Sequence, residues 1–140
     1  MTSKPRQAKT IRIILDSNAL FVPLLFKIDI MEELKTLINR DFEPILLSPV
    51  RQELERLAKE GLTKTQKNAS YALKLADQCK LVETDVESAN SPDDVIARVA
   101  GLWSCPVFTN DRKLRKKLRD INVPVIYVRQ KSRLEIDGRI

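Results

Sequence analysis

The sequence predicts an α/β fold in three layers, an α/β/α sandwich with a central parallel sheet. Short runs of branched apolar residues indicate strands that are buried on both faces, and segments with apolar residues three and four apart indicate helices between them. Strands that alternate with helices form parallel sheets linked by right-handed crossovers. The length of 140 residues predicts one domain over residues 1–140, large enough to bury a core.

The first strand is the clearest of the predicted elements. Ile13, Ile14 and Leu15 form an apolar run that stops abruptly at Asp16, where polar residues begin. Similar apolar runs predict four further strands. In chain order, the predicted strands cover residues 13–15, 44–47, 81–82, 106–109 and 123–128.

Helices are predicted where apolar residues recur at helical spacing. Two of them begin at a Ser-Pro pair, with Ser48 and Ser91 as the expected N-caps and the prolines as the first helical residues. Gly61 is a favourable residue to end the first of these two helices. Leu114 and Leu118 mark a short, strongly basic helix near the end of the chain. The two helices that begin at a Ser-Pro pair are predicted over residues 50–60 and about 92–103, and two more are predicted over residues 28–40 and 65–80.

The residue types that are absent limit the chemistry. The chain contains no histidine, which excludes the usual general base and the commonest zinc or copper ligand. Its two cysteines, Cys79 and Cys105, lack the spacing of a metal motif or a disulfide framework, which is typical of a reducing cytoplasm. The longest apolar run, residues 19–26, is too short to cross a bilayer, so we expect a cytoplasmic protein with no membrane partner.

Positive charge is concentrated near the end of the chain. Residues 111–133 contain nine lysines and arginines against two aspartates, whereas the formal net charge of the whole chain is +6. Clustered positive charge favours a polyanionic partner such as RNA, although a solvated helix face is the commoner explanation for a charge run. Residues 1–9 are expected to form a flexible basic arm, and residues 129–140 a polar tail.

Five carboxylates stand at positions that a parallel sheet brings to one edge. Asp16 ends the first strand and Asp111 follows the strand at 106–109, while Asp93 and Asp94 open one helix and Glu53 lies in the first turn of another. Each of them also has an ordinary structural explanation as a helix cap, a turn residue or a partner of the helix dipole. Strand ends and the starts of the following helices share one edge of the sheet, so we expect these acids to converge.

Convergence of several carboxylates would itself require an explanation. Carboxylates that lie close together repel one another unless a cation joins them or some of them are protonated. A hard divalent metal suits a site made only of oxygen ligands, and Mg²⁺ or Mn²⁺ is the expected cofactor. Such an ion activates water and stabilises charge on a phosphodiester. The basic helix that follows Asp111 would hold the phosphate backbone beside that centre.

The chain resembles the PIN domain family of metal-dependent ribonucleases. The resemblance rests on four motifs in the order of the family, LDSNAL, SPVRQEL, DDVIARVA and FTNDRKLRKKL, which span nearly the whole chain. Within the family, TNDRKLRKKL, the VPVIYVRQ strand and the RLEIDG tail are most similar to the PIN nucleases that process small-subunit ribosomal RNA, especially their archaeal relatives. The resemblance implies the same three-layer α/β/α fold and an acidic pocket for one or two Mg²⁺ or Mn²⁺ ions.

The resemblance also implies which acids are catalytic and bind metal. The Asp93-Asp94 pair leaves two choices for the third acid, and Asp93 is favoured because Ile96 and Ala100 then stand at the family's spacing behind it. Asp94 becomes a neighbouring metal-site or capping residue. The matching acidic positions are Asp16, Glu53, Asp93 and Asp111.

Further residues are expected to contact the substrate. Small polar residues match family positions that orient the acids or the RNA, and basic residues after the last acid are expected to bind phosphates. The small polar residues are Ser17, Asn18, Thr109 and Asn110, and the basic residues are Arg112, Lys113, Arg115 and Lys116.

The leading hypothesis for function is an endoribonuclease that prefers single strands and acts on ribosomal RNA precursors, with RNA and ribosome-assembly factors as partners. Two alternatives remain. One is a toxin nuclease of the VapC type, and the other is a non-catalytic RNA-binding or assembly module with the same fold. Apolar residues near the first helices are compatible with a homodimer as well as with core packing.

Overall fold

A computed structural model describes residues 10–84 and 91–140. The basic arm expected at residues 1–9 lies outside the described residues. Within them the chain forms six strands and six helices. In order these are β1 (Ile11–Leu15), α1 (Ser17–Phe26), α2 (Ile30–Ile38), β2 (Phe42–Leu47), α3 (Ser48–Glu60), α4 (Thr63–Ala76), β3 (Lys80–Val82), α5 (Pro92–Trp103), β4 (Val107–Phe108), α6 (Arg112–Asp120), β5 (Val125–Arg129) and β6 (Arg133–Asp137).

The strands form one mixed sheet in the order β3-β2-β1-β4-β5-β6. The first five strands in that order pair in parallel, and β6 pairs antiparallel with β5 at the edge. The chain therefore winds outward from β1 in both directions, as in other doubly wound α/β folds. The predicted fold class is confirmed, with an antiparallel edge strand added to the parallel sheet.

The central strand β1 is buried on both faces. Ile13, Ile14 and Leu15 are all fully buried. Successive strand residues point to opposite faces of a sheet, so packed layers must cover both faces of β1. Burial of each side chain of this size contributes about 1.5–3 kcal/mol to stability. The unbroken apolar run therefore fixes β1 at the centre and sets Asp16 at its exit.

Helix α1 occupies a segment for which no helix or strand was predicted. Its residues are apolar on all sides, so they show no helical periodicity, and Pro23 lies inside the helix. The helix begins because Asp16 caps it, and it ends three residues after Pro23. Lys27 then adopts a left-handed backbone conformation with φ 56°, and its N–H donates to the carbonyl of Pro23 at 3.1 Å.

One of the two predicted Ser-Pro caps is wrong. Ser91 caps α5 as expected, because its hydroxyl accepts a hydrogen bond from the Asp94 N–H at 3.2 Å. Ser48 instead is the first helical residue of α3, and Leu47 holds the cap position. β2 runs directly into α3, so the last strand residue takes the extended conformation that a cap requires. The Ser48 hydroxyl is used elsewhere and accepts from the Thr84 N–H at 3.1 Å.

The segment 129–140, expected only as a polar tail, contains the strand β6. Leu134 is buried with 4% of its surface exposed, whereas its neighbours on either side are charged. An edge strand with one buried face shows this alternation, which is easily mistaken for a solvated tail. Two arginines of α6 hold the end of the strand: Arg115 contacts Asp137 at 3.1 Å and Arg119 contacts it at 3.4 Å. The predicted helix over 65–80 also ends earlier than expected, at Ala76.

Among residues 10–84 and 91–140, every helix is too short or too polar to cross a membrane.

The burial of Leu134 predicts that β6 contributes to the stability of the whole domain. We expect Leu134→Ala to lower the free energy of unfolding by about 2–4 kcal/mol, the usual cost of truncating a buried leucine. Leu102→Ala is the matched control, because Leu102 is 77% exposed. It should change stability by less than about 0.5 kcal/mol. Urea denaturation measures both values, and equal stabilities for the two variants would contradict a packed β6.

Candidate active site

The carboxyl ends of β1 and β4 lie side by side. Leu15 is in register with Phe108, and the Asp16 N–H donates to the Phe108 carbonyl at 3.0 Å. The residues that follow the two strands, Asp16 and Thr109, are therefore neighbours. The predicted convergence of polar residues at this edge begins with this pair.

Asp16 is a buried carboxylate, with only 4% of its surface exposed. Its Oδ1 accepts from the Ser17 N–H at 2.7 Å, and its Oδ2 accepts from the Thr109 hydroxyl at 2.7 Å and the Asn18 amide at 2.9 Å. Burial raises the pKa of Asp16 above the ordinary value of 3.8, although the Thr109 and Ser17 hydrogen bonds oppose it. The three donors fix the orientation of the carboxylate but leave its charge without a cationic partner among them.

A polar network behind Asp16 ties three strands together. The Thr109 hydroxyl, which donates to Asp16, also accepts from the Asp111 N–H at 3.1 Å. The Asn18 Oδ1 accepts from the Asn110 N–H at 2.9 Å, and the Asn110 Oδ1 accepts from the N–H of Val128 in β5 at 2.8 Å. Three of the four small polar residues expected to orient the acids or the RNA, Asn18, Thr109 and Asn110, are thus brought together. They fix the spacing of β1, β4 and β5 at this edge.

The charges of the predicted acids affect one another. The negative charges of Glu53 and Asp111 add to burial in raising the pKa of Asp16. The pKa of Asp93 is raised first by burial and then by the charges of Asp16 and Asp111. Glu53 is half-buried on α3, whereas Glu55 is exposed and pairs with a neighbouring arginine. The four predicted acids therefore share one electrostatic environment.

The donor set of this cluster fits a hard divalent cation. Among the described residues, no salt bridge joins a lysine or arginine to any of the four acids. All of their side-chain ligand atoms are oxygen, which Mg²⁺ and Mn²⁺ prefer. Within the described residues, however, no three of these acids stand as a ready-made metal-ligand group. The acids repel one another across the site, and a cation would reduce that repulsion.

Asp93 and Asp94 have different surroundings. Asp93 is half-buried and faces the charges of Asp16 and Asp111. Asp94 is exposed, and its Oδ1 accepts from the Lys117 ammonium at 2.6 Å, which lowers the pKa of Asp94. The first of the pair therefore lies with the acid cluster, and the second joins α5 to α6.

Asp111 is both a helix cap and a member of the acid cluster. It is the N-cap of α6, and its Oδ1 accepts from the N–H groups of Lys113 at 2.8 Å and Leu114 at 3.2 Å. Both capping bonds fall on one oxygen, so Oδ2 can face a ligand. The Asp111 side chain can therefore cap α6 and belong to the acid cluster at the same time.

The four basic residues expected to bind phosphates differ in their contacts. Arg112 and Lys113 are exposed at the start of α6, beside the acids. Lys116 is exposed one turn further on and pairs with Asp120 at 3.7 Å. Arg115 is engaged in the fold, because it pairs with Asp137 and its guanidinium lies 3.8 Å from the centre of the Tyr127 ring. The sequence does not indicate these two contacts of Arg115, because the pairing of β5 with β6, which brings Tyr127 and Asp137 together, was not predicted.

Comparison with known proteins finds a family model for a PIN-like domain that matches residues 13–131. Among curated proteins, Ribonuclease VapC4 of Methanocaldococcus jannaschii is 36% identical over 132 residues, which cover 92% of this chain and 98% of the relative. Ribonuclease VapC9 of Archaeoglobus fulgidus is 28% identical over 124 residues, which cover 89% of this chain and 87% of the relative.

Solved structures support the same fold. The PIN domain endonuclease Utp24 is 25% identical with a TM-score of 0.77, and the match covers 92% of each chain. A structure of VapBC2 from Rickettsia felis bound to a DNA fragment from their promoter matches with a TM-score of 0.61 over 85% of this chain and 100% of the other chain. Its identity is 14%, so that likeness concerns the fold alone.

The raised pKa of Asp16 makes stability depend on pH with a defined sign. The folded state holds a proton on Asp16 more tightly than the unfolded state, so wild-type stability falls as pH rises from the ordinary value of 3.8 through the folded pKa. Asp16→Asn cannot ionise. We therefore expect the variant to gain stability relative to wild type as pH rises through this window in metal-free buffer, measured by urea denaturation.

Asp94→Asn is the control for that experiment. The pKa of Asp94 is lowered, so its contribution is present above the ordinary value of 3.8 and is lost as pH falls through the folded pKa. The variant should therefore lose stability relative to wild type as pH rises. The same slope for both variants would contradict the different environments of the two carboxylates.

Proposed function

This chain belongs to the PIN-like domain family, and on that premise we propose that it is a metal-dependent endoribonuclease that hydrolyses phosphodiester bonds in single-stranded RNA. The proposal is supported chiefly by the acid cluster around the buried carboxylate of Asp16. Among the residues that the structure describes, no lysine or arginine forms a salt bridge with these acids. Its curated relatives are ribonucleases, and the matches to them extend over most of this chain.

The acids would hold the metal. In this proposal Asp16, Asp93 and Asp111 hold Mg²⁺ or Mn²⁺, and Glu53 completes the cluster from α3. A divalent cation bound there supplies an activated water and neutralises charge on the phosphodiester. Asp94 is left outside the set because it pairs with Lys117.

The chain's own residues orient the acids and the RNA. Thr109 and Asn18 hold Asp16 in one orientation by donating to the same carboxylate oxygen. Arg112 and Lys113 stand at the positive end of the α6 dipole, where phosphate is stabilised. Their positive charge beside the acids favours RNA that passes from α6 across the carboxyl ends of β1 and β4.

We propose precursors of small-subunit ribosomal RNA as the substrate, with assembly factors as partners. The support is the resemblance of TNDRKLRKKL, the VPVIYVRQ strand and the RLEIDG tail to PIN nucleases that process small-subunit ribosomal RNA. The similarity to the PIN domain endonuclease Utp24 supports endonucleolytic cleavage. The 36% identity to a VapC ribonuclease favours a toxin nuclease as the second candidate. The two candidates are distinguished by mapping the RNA ends that the protein creates in total RNA. Cuts in the spacers of the ribosomal precursor favour a processing nuclease, and cuts confined to other RNAs favour a toxin nuclease.

The neighbouring residues Asp93 and Asp94 give a matched test of the acid set. We expect Asp93→Asn to reduce cleavage of end-labelled single-stranded RNA in Mg²⁺ or Mn²⁺ by roughly 100-fold, since loss of even a supporting metal-site residue costs about 10- to 100-fold. Asp94→Asn should retain activity within about threefold, because the cost of an exposed ion pair is small.

Two controls accompany this assay. Asp16→Asn and wild type with EDTA should both be inactive, which excludes contaminating nucleases. Activity retained in Asp93→Asn and lost in Asp94→Asn would show that Asp94, and not Asp93, belongs to the metal-binding acids. Cuts that persist in Asp16→Asn would contradict the proposed function, and RNA binding without any cleavage would favour the non-catalytic module.

Metal binding has a readout that does not depend on cleavage. A ligand that binds only the folded state at 100 times its Kd stabilises it by about 2.7 kcal/mol. We therefore expect excess Mg²⁺ or Mn²⁺ to raise the unfolding temperature of the wild type by several degrees, and that of Asp16→Asn by much less. Ca²⁺ and a matched concentration of NaCl serve as controls. An equal rise in both proteins would place the stabilising ion away from Asp16.

A further inference from the structure

We propose that a groove beside the acid cluster binds an unpaired nucleotide of the RNA next to the cleaved bond, by stacking its base and pairing its phosphate. The inference rests on the proposed function and specifies which part of the substrate the protein reads. The groove, called here the β5 groove, has a volume of about 590 Å³, within the range of about 300–1,000 Å³ for small-molecule sites. Among its lining residues are Phe26, Asn110, Arg112, Tyr127, Arg129 and Lys131.

The β5 groove adjoins the candidate active site through two of its lining residues. Asn110 lines the groove and also bonds Asn18, the residue that donates to Asp16. Arg112 lines it as well and directly follows Asp111 in the chain. A nucleotide in the groove would therefore be next to the RNA segment that contacts the acids.

Positive charge in the groove remains available for phosphate. Arg115 is paired with Asp137, and Arg129 is paired with Glu135 at 3.4 Å. Among the described residues, no carboxylate forms a salt bridge with Arg112 or Lys131. These two side chains are exposed, so they can neutralise backbone phosphates without breaking an ion pair.

The groove is lined by a stacked pair of planar groups, the Tyr127 ring and the Arg115 guanidinium. The Arg115 guanidinium lies 3.8 Å from the centre of the Tyr127 ring, and the Tyr127 hydroxyl donates to Glu135 at 3.4 Å. The ring is thus held by a stacked cation and by a hydrogen bond at its tip. Aromatic rings and arginine planes stack on unpaired bases, whereas the bases of a duplex already stack on one another. The groove therefore favours single-stranded RNA.

The turn between β5 and β6 has an unusual backbone conformation at two residues that line the groove. Gln130 and Lys131 both have left-handed backbone conformations, with φ of 54° and 58°. Glycine or asparagine is preferred at such turn positions, and other residues are strained there. Both residues line the β5 groove. The turn therefore holds Lys131 at the wall of the groove, where its positive charge can bind phosphate.

The test measures RNA binding in an Asp16→Asn background, so that cleavage does not interfere. Fluorescein-labelled oligouridine is the single-stranded probe, and the same strand annealed to oligoadenosine is the duplex probe. We expect Tyr127→Leu to weaken oligouridine binding about tenfold, the usual effect of losing one stacked base, and to leave duplex binding unchanged. Lys131→Asn keeps a residue that tolerates the turn and should reduce the slope of log affinity against log salt by about 0.7.

Two further variants make the result specific. Tyr127→Phe keeps the ring and should bind oligouridine like the parent, whereas Lys67→Gln removes an exposed charge from the distant helix α4 and should leave the affinity unchanged. Circular dichroism melting of each variant establishes that it is folded. Equal oligouridine affinity for Tyr127→Leu and its parent would overturn the subsite.

Cleavage by the protein with Asp16 intact separates the two proposals. Acid-dependent cleavage together with unchanged binding by Tyr127→Leu and Lys131→Asn overturns the subsite and leaves the nuclease proposal standing. Weakened binding by both variants without any cleavage supports the subsite and overturns the nuclease proposal. A loss caused by Lys131→Asn alone overturns base stacking, and with it the subsite, and leaves only a phosphate contact at the turn. Failure to bind either RNA overturns both proposals.

Discussion

A carboxylate buried at the end of the central strand is the constraint on which the rest of this site depends. The apolar run of β1 places Asp16 in the interior, where desolvation disfavours its charge. Its oxygens accept hydrogen bonds from one backbone N–H, one hydroxyl and one amide, which orient the carboxylate. None of those donors carries a positive charge. The site therefore holds the Asp16 carboxylate in a position where a bound cation would stabilise its negative charge.

The parallel sheet explains how acids so distant in sequence meet. The carboxyl ends of β1 and β4 are adjacent, and α3, α5 and α6 begin at the same edge. Asp111 connects two parts of the site, because its Oδ1 caps α6 while its charge acts on Asp16. The helix that it caps carries the cations expected to meet phosphate. Arg115 is the exception, since it fixes β6 and Tyr127 and so shapes the neighbouring groove.

The sequence predicted the strands and helices that have a clear period or a sharp boundary. Ile13 to Leu15, Ser91 and Gly61 belong to this group, because local chemistry decides them. Helix α1 was not predicted, since Pro23 and uniform hydrophobicity conceal its period. β6 was not predicted because its stability comes from Leu134 in the core and from the contacts of Asp137 with α6, which are visible only in three dimensions.

The candidate site shows the same limit. The acids could be named from their positions at strand and helix ends, but their surroundings could not. Asp93 and Asp94 are adjacent in sequence and differ only in where α5 turns them, toward Asp16 or toward Lys117. The stacking of Arg115 on Tyr127 joins α6 to β5, and no local pattern indicates such a contact.

The role of Asp16 is tested by the position of Mn²⁺ in crystals of this protein, located by its anomalous scattering. We expect an anomalous peak between the carboxylates of Asp16 and Asp111 in the wild type and its loss in crystals of Asp16→Asn. A peak elsewhere on the molecule, or an unchanged peak in the variant, would contradict the claim that the buried carboxylate is there to hold a divalent cation.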